Sequence, residues 1–150
     1  MKYNLLKFLQ TAFPFLLTIG LWRCAHPIWN PGGILAIIPI FYCSFVRPTQ
    51  WFPLFSVIMC ICLDYNFETV CFWLAIYCFC CAVDGFQNWI DVTHVDHDAF
   101  VIFAFVVLCA ILMQIIANFT WVNIAKGMWI ILVMLVMYKP CVWMIKKVQK

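Results

Sequence analysis

Long apolar runs, separated by only a few charged residues, are the feature of this sequence that most limits its fold. Charged residues make up 10% of the 150 residues, whereas 67% are hydrophobic. Soluble domains have about 25% charged residues, so these charges are too few to cover a surface in water. Because a backbone in lipid must satisfy its own hydrogen bonds, apolar runs of this kind predict helices. The sequence therefore predicts an all-α bundle of transmembrane helices in one membrane domain, residues 1–150.

Six of these runs predict transmembrane helices with both termini on one side of the membrane. Proline is expected to kink the first run at Pro14 and to end the last one at Lys139-Pro140. The approximate bounds of the six predicted spans are 5–22, 33–46, 51–63, 67–83, 99–117 and 120–138.

The second and third runs are short for full crossings, which leaves two interpretations. They could form a re-entrant hairpin, or each could be extended to a full crossing by interfacial aromatic residues such as Trp29 and Trp51. A re-entrant tip would carry Arg47 into the membrane, where a charge costs at least about 2.5 kcal/mol. Two crossings are therefore favoured. The polar residues Asp64-Tyr65-Asn66 predict a turn between the third and fourth runs.

The positions of the basic residues predict the orientation of the bundle. Short loops rich in Lys and Arg remain in the cytoplasm. With six spans and a cytoplasmic N-terminus, the cytoplasmic side holds most of the nine basic residues. These are Lys2, Lys7, Arg47, Lys139, Lys146, Lys147 and Lys150. Both termini are therefore predicted to be cytoplasmic.

Two motifs contain residue types that could carry chemistry. His94-x-x-His97, among acidic residues, has the imidazole and carboxylate groups of a metal site. Cys78-x-x-Cys81 has the spacing of a redox pair. A hydrated acidic turn is the better interpretation of the first, and apolar packing of cysteines is the better interpretation of the second. No catalytic constellation is recognisable, so the sequence predicts a protein that is not an enzyme and has no cofactor or metal.

The net charge of +3 is scattered along the chain. Nucleic-acid binding needs a dense stripe of Lys and Arg, which this sequence lacks. Membrane lipid is the predicted surrounding partner, and nucleic acid is not a predicted partner.

Residues 31–84 carry a recognisable order of features. Pro31 opens a short run that ends in Phe45-Val46-Arg47-Pro48, an aromatic-rich run ends in Leu63-Asp64, and another long apolar run follows. This order resembles the rod shape-determining protein MreD family. The glycine that the family carries before the aspartate is absent here. The residues that match the family pattern, as candidates for partner contact or structure, are Arg47, Pro48 and Asp64.

The resemblance implies a non-enzymatic scaffold in the inner membrane of bacteria, within the machinery for cell elongation and peptidoglycan synthesis. The implied partners are an MreC-like bitopic protein, an MreB-like actin filament and a RodA–transpeptidase synthase. The family is also similar in its six-helix arrangement to substrate-binding subunits of energy-coupling-factor vitamin transporters. Binding of a vitamin or another small solute is therefore the alternative function, since one fold can serve both purposes.

Overall fold

The computed structural model describes the backbone of residues 2–23, 32–47, 49, 51–82, 96–117 and 119–149. All of the regular elements in these ranges are helices, which confirms the all-α class for this part of the chain. The elements, in chain order, are α1 (Lys2–Arg23), α2 (Gly32–Leu35), α3 (Ile37–Phe41), a π-helix (Tyr42–Val46), α4 (Phe52–Ala82), α5 (Asp96–Ala117) and α6 (Trp121–Gln149).

The centre of the bundle is a short helical stretch, residues 32–46, which comprises α2, α3 and the π-helix and is called the central segment below. It contacts α1, α4 and α6. Its side chains are apolar on nearly every side, as expected for a helix that is surrounded by others. Ile38, Ile40 and Cys43 have no exposed surface, and Tyr42 is almost as fully buried. The predicted span 33–46 therefore forms the core of the described bundle.

Helix α4 differs from the sequence prediction. The predicted spans 51–63 and 67–83 are a single helix, Phe52–Ala82, and the predicted turn at 64–66 is helical. The prediction depended on polarity alone, and this stretch has neither glycine nor proline to stop a helix. At about 1.5 Å per residue, α4 is about 46 Å long, which exceeds the thickness of a hydrocarbon core.

The count of six crossings is not confirmed by the described residues. Two of the described helices are long and apolar enough to cross a membrane, namely Ala99–Ala117 within α5 and Trp121–Gln149. Shorter apolar helices cover Ile37–Val46 and Phe52–Leu63.

Helix α6 also extends beyond its predicted end. It continues through Pro140 to Gln149 rather than ending at 138. Proline removes one backbone hydrogen bond, whereas ending a helix in an apolar environment would leave several groups unsatisfied. Helix α1 likewise contains Pro14, and the buried hydroxyl of Thr18 donates a hydrogen bond of 2.7 Å to the Pro14 carbonyl.

Helices α5 and α6 pack closely around a glycine and an aromatic cluster. A Cβ atom added at Gly127 would lie 2.8 Å from Cγ2 of Ile111 and 3.2 Å from Cδ1 of Ile115. Further along the pair, the rings of Phe103 and Tyr138 lie 4.8 Å apart. Phe41 of the central segment lies 5.3 Å from Phe103, so the cluster joins α3, α5 and α6.

One buried hydrogen bond joins the central segment to α4. The hydroxyl oxygens of Ser44 and Ser56 lie 3.1 Å apart, and neither side chain has exposed surface. In an apolar interior each hydroxyl needs a partner, because a buried polar group without one is costly. This pair therefore helps to fix the start of α4 against the π-helix.

We expect Gly127→Ala to be less stable than Gly20→Ala by about 1–3 kcal/mol, since the added methyl group overpacks a full interface. The matched control, Gly20, has no atom within 4 Å of its added Cβ. Because both changes replace a helical glycine by alanine, the gain in helix propensity largely cancels. Unfolding in mixed micelles by increasing SDS measures the difference, and equal stabilities would contradict the close packing.

We expect Ser44→Ala and Ser56→Ala to be coupled by about 0.6–1.7 kcal/mol in a double-mutant cycle, as found for hydrogen bonds between helices in membranes. The control cycle pairs Ser56→Ala with Thr11→Ala, since the exposed Thr11 hydroxyl donates within its own helix to the Lys7 carbonyl. A coupling energy equal to that of the control would show that the two hydroxyls do not interact.

Candidate functional site

The outer surfaces of α5 and α6 are apolar, although they are exposed. On α5, Ala99, Phe103 and Val107 form a buried stripe with helical spacing. On the other faces of the same helix, Phe105 is 66% exposed and Ile116 is 77% exposed. In water, exposed apolar side chains along a whole helix would cause the protein to associate with itself or with other proteins. These two helices are thus consistent with a membrane protein whose outer surface meets lipid.

Two exposed tryptophans mark the ends of the apolar part of α6. Trp121 and Trp143 lie about 33 Å apart along the helix axis, at about 1.5 Å per residue. This distance matches the thickness of a hydrocarbon core, and tryptophan is enriched at both of its interfaces. The exposed Lys126 and Lys139 lie inside this interval, within about two turns of a tryptophan. Their long side chains can extend toward the nearer interface.

The C-terminal end of α6 meets the segment that joins the central segment to α4. Nε2 of Gln149 donates a hydrogen bond of 3.4 Å to Oγ1 of Thr49, across 100 residues of sequence. The contact brings Lys146 and Lys147 to the same end of the bundle as Arg47. We call this region, formed by Arg47, Thr49, Trp51, Trp143, Lys146, Lys147 and Gln149, the basic end.

The backbone that leads into the basic end is unusual. The Arg47 amide donates to the Tyr42 carbonyl over 2.9 Å, which is the i to i+5 bond of the π-helix. The Thr49 amide donates to the Cys43 carbonyl, and the Phe52 amide donates to the Thr49 carbonyl. Thr49 thus ties the central segment to α4 as well as to α6.

Trp51 has a φ of 66°, in the left-handed region that a bulky residue rarely adopts. Its side chain is 73% exposed. Such a conformation persists only where surrounding contacts impose it, and it is enriched at functional sites. The hydrogen bonds of Thr49 on one side and the first turn of α4 on the other supply those contacts.

One electrostatic contact of the basic end is between a lysine and a tryptophan. The Lys147 ammonium lies 4.8 Å from the centroid of the Trp143 ring. A cation over the face of an indole ring is attracted by the negative charge of that face. Trp143 itself is 60% exposed, so the pair lies on the surface of the bundle. The contact holds a positive charge directly beside a side chain that favours the membrane interface.

The structure describes the three predicted site residues, Arg47, Pro48 and Asp64, to different extents. Arg47 is exposed and belongs to the basic end. Pro48 lies outside the described residues. Asp64 lies within α4, about 18 Å along the axis from Phe52, and its side chain is outside the description. The layout in which a span ends at Asp64 is therefore not found, because α4 continues through this position.

The two chemical motifs fall largely outside the described part of the chain. His94 is outside it, and His97 is in the first turn of α5, with no side chain described. Cys78 is buried, and the side chain of Cys81 is not described. Within the described residues, no group of three or more His, Cys, Asp and Glu side chains could hold a metal ion.

Sequence reasoning missed Thr49, Trp143 and Gln149 as members of this end. The available signal was the spacing of Trp121 and Trp143, the first and last of the three tryptophans on α6, which is close to the thickness of a hydrocarbon core. Ending the last span at 138 concealed that spacing.

No family model, no curated protein and no solved structure matches this chain.

We expect Thr49→Cys combined with Gln149→Cys to be joined by a short bis-maleimide cross-linker, because the native side chains are in contact over 3.4 Å. Cysteine is shorter than glutamine, so a linker rather than a direct disulfide spans the remaining distance. A protease site inserted between residues 84 and 95 makes the result visible, since cross-linked halves remain together on a denaturing gel. Each single variant measures the background from the native cysteines.

The matched control pairs Thr49→Cys with Trp121→Cys, at the opposite end of α6. Cross-linking in the control but not in the test pair would show that the N-terminal end of α6, rather than its C-terminal end, lies near Thr49, and would contradict the structure.

Proposed function

We propose that this chain is an integral membrane protein that acts as a non-enzymatic scaffold and binds transmembrane helices of partner proteins. The observation that carries the proposal is that apolar side chains fill the described interior and also cover the described outer surface. The described outer surface is therefore available for contact with other apolar helices.

The filled interior favours a scaffold over a solute-binding subunit. A solute-binding bundle needs a cavity between helices, lined by a few polar groups. At the centre of the described bundle, Ile38, Ile40 and Tyr42 occupy that volume, and the aromatic cluster around Phe103 closes one side. The described buried polar groups are the hydroxyls of Thr18, Tyr42, Ser44 and Ser56. The bond from Thr18 and the pairing of the two serines are contacts within the bundle.

The outer surface supports contact with partner helices. In lipid, apolar surface alone does not drive helices together, so association depends on close packing. The exposed side chains of α5 and α6 vary in size, from Ala117 and Ala125 to Phe105 and Trp129. A partner helix of complementary shape can pack against an uneven surface of this kind. Wherever no partner is present, the same surface is satisfied by lipid.

The specific scaffold that we propose is one in the bacterial inner membrane that links an MreC-like protein, an MreB-like filament and a RodA–transpeptidase synthase during cell elongation. This part of the proposal rests on the resemblance over residues 31–84. Of the three candidate residues that match the family pattern, Arg47 is the one whose side chain is described, and it is exposed at the basic end. The continuation of α4 through Asp64 departs from the expected layout.

A photo-cross-linking experiment tests the proposal in the native membrane. The probe, p-benzoylphenylalanine, replaces Phe105 on α5 or Leu132 on α6, both exposed, and in a matched variant replaces the exposed Leu16 on α1. We expect cross-links to an MreC-like or RodA-like protein from α5 or α6, because their outer surfaces would carry the partner helix.

Cross-links to lipid alone from all of these positions would contradict the scaffold. Co-purification with a transporter ATPase and a vitamin-like molecule would favour the solute-binding alternative. Mass spectrometry identifies the product in each case.

A further inference from the structure

We propose that the basic end binds the phosphate headgroup of an anionic phospholipid of the phosphatidylglycerol class. The inference rests on the membrane location within the proposed function, but not on the scaffold role or on any partner protein.

The first argument is that the fold gathers the charges. Arg47 follows the π-helix, whereas Lys146 and Lys147 lie in the last turn of α6. The hydrogen bond between Thr49 and Gln149 fastens these two segments together. The positive-inside rule places basic residues on one side of a membrane. It does not require basic residues that are far apart in the sequence to lie close together in space. Here, the contact between Thr49 and Gln149 brings the chain segments that carry them together.

The second argument is depth. Trp51 and Trp143 are both largely exposed and flank the three cations. Tryptophan is enriched at the level of the lipid headgroups, and Trp143 lies at the end of the apolar part of α6, so the cations near it are placed at the level of the phosphates. The Lys147 ammonium lies over the Trp143 ring at this level.

The third argument is the match of chemistry. A guanidinium group can donate two parallel hydrogen bonds to a phosphate, and ammonium groups add point charges. Phosphatidylglycerol has a net negative charge, whereas phosphatidylcholine carries the same phosphate with a compensating cation. The basic end should distinguish the two by charge, with about a fivefold change in affinity for each cation.

The test uses the full chain reconstituted in phosphatidylcholine vesicles. Spin-labelled phosphatidylglycerol and spin-labelled phosphatidylcholine are added in separate samples, and electron paramagnetic resonance measures the fraction of each lipid that the protein immobilises. We expect the wild-type chain to prefer phosphatidylglycerol. The triple variant R47Q/K146Q/K147Q should lose this preference.

The matched control is Lys126→Gln, which removes an exposed lysine near the other end of α6. We expect it to keep the wild-type preference. An equal loss in Lys126→Gln, or no loss in the triple variant, would overturn the inference. Circular dichroism of each variant establishes that its helices are intact, and a second set with R47K and K147R, which retain the charges, should keep the preference.

Two outcomes separate this inference from the proposed function. If the chain does not remain in the vesicles after alkaline extraction, the membrane location fails. If it remains but the wild-type chain shows no preference, only the lipid assignment is wrong. Binding of a polyglutamate peptide through the same three cations, without any lipid preference, would instead make the basic end a surface for an acidic protein and would overturn the assignment.

Discussion

The backbone hydrogen bond is the interaction on which the rest of this structure depends. In an apolar environment every amide and carbonyl group needs a partner within the protein, and a helix provides one at nearly every position. This need explains why helices continue where sequence rules for soluble proteins would end them. Helix α6 continues through Pro140, and α4 continues through Asp64. The π-helix before Arg47 illustrates the same need. Its backbone keeps its hydrogen bonds by changing from the α-helical to the π-helical pattern.

Side-chain packing then decides how the helices are arranged. Gly127 allows α5 and α6 to approach until their side chains interlock, and the aromatic cluster around Phe103 fixes their relation to the central segment. The buried hydrogen bond between Ser44 and Ser56 restricts the orientation of α4 against the π-helix, because a hydrogen bond has a preferred geometry whereas apolar contact does not. A few short-range contacts thus orient long helices that have apolar side chains on almost every face.

The helical class could be predicted from the sequence because it follows from composition. The predicted span 99–117 lies within α5, where Gln114 is the one polar residue in the run and the flanking residues are polar. The turn at 64–66 could not be judged in this way, because polarity alone does not distinguish a loop from a polar turn of a helix. The basic end was recognisable only as scattered cations. Its assembly depends on the packing of α6 against the central segment, including a contact across 100 residues, and neither composition nor local spacing encodes such contacts.

The long-range contact at Thr49 has a consequence for the order in which this bundle is completed. The central segment and the start of α4 emerge from the ribosome long before Gln149 does, so Thr49 must wait while the next hundred residues are made and inserted. Contacts of such large sequence separation form late, because the intervening chain must first be brought into place. Until then, the surface of the central segment that α6 covers in the finished bundle is exposed. The completion of α6 therefore sets the time at which this apolar surface becomes buried.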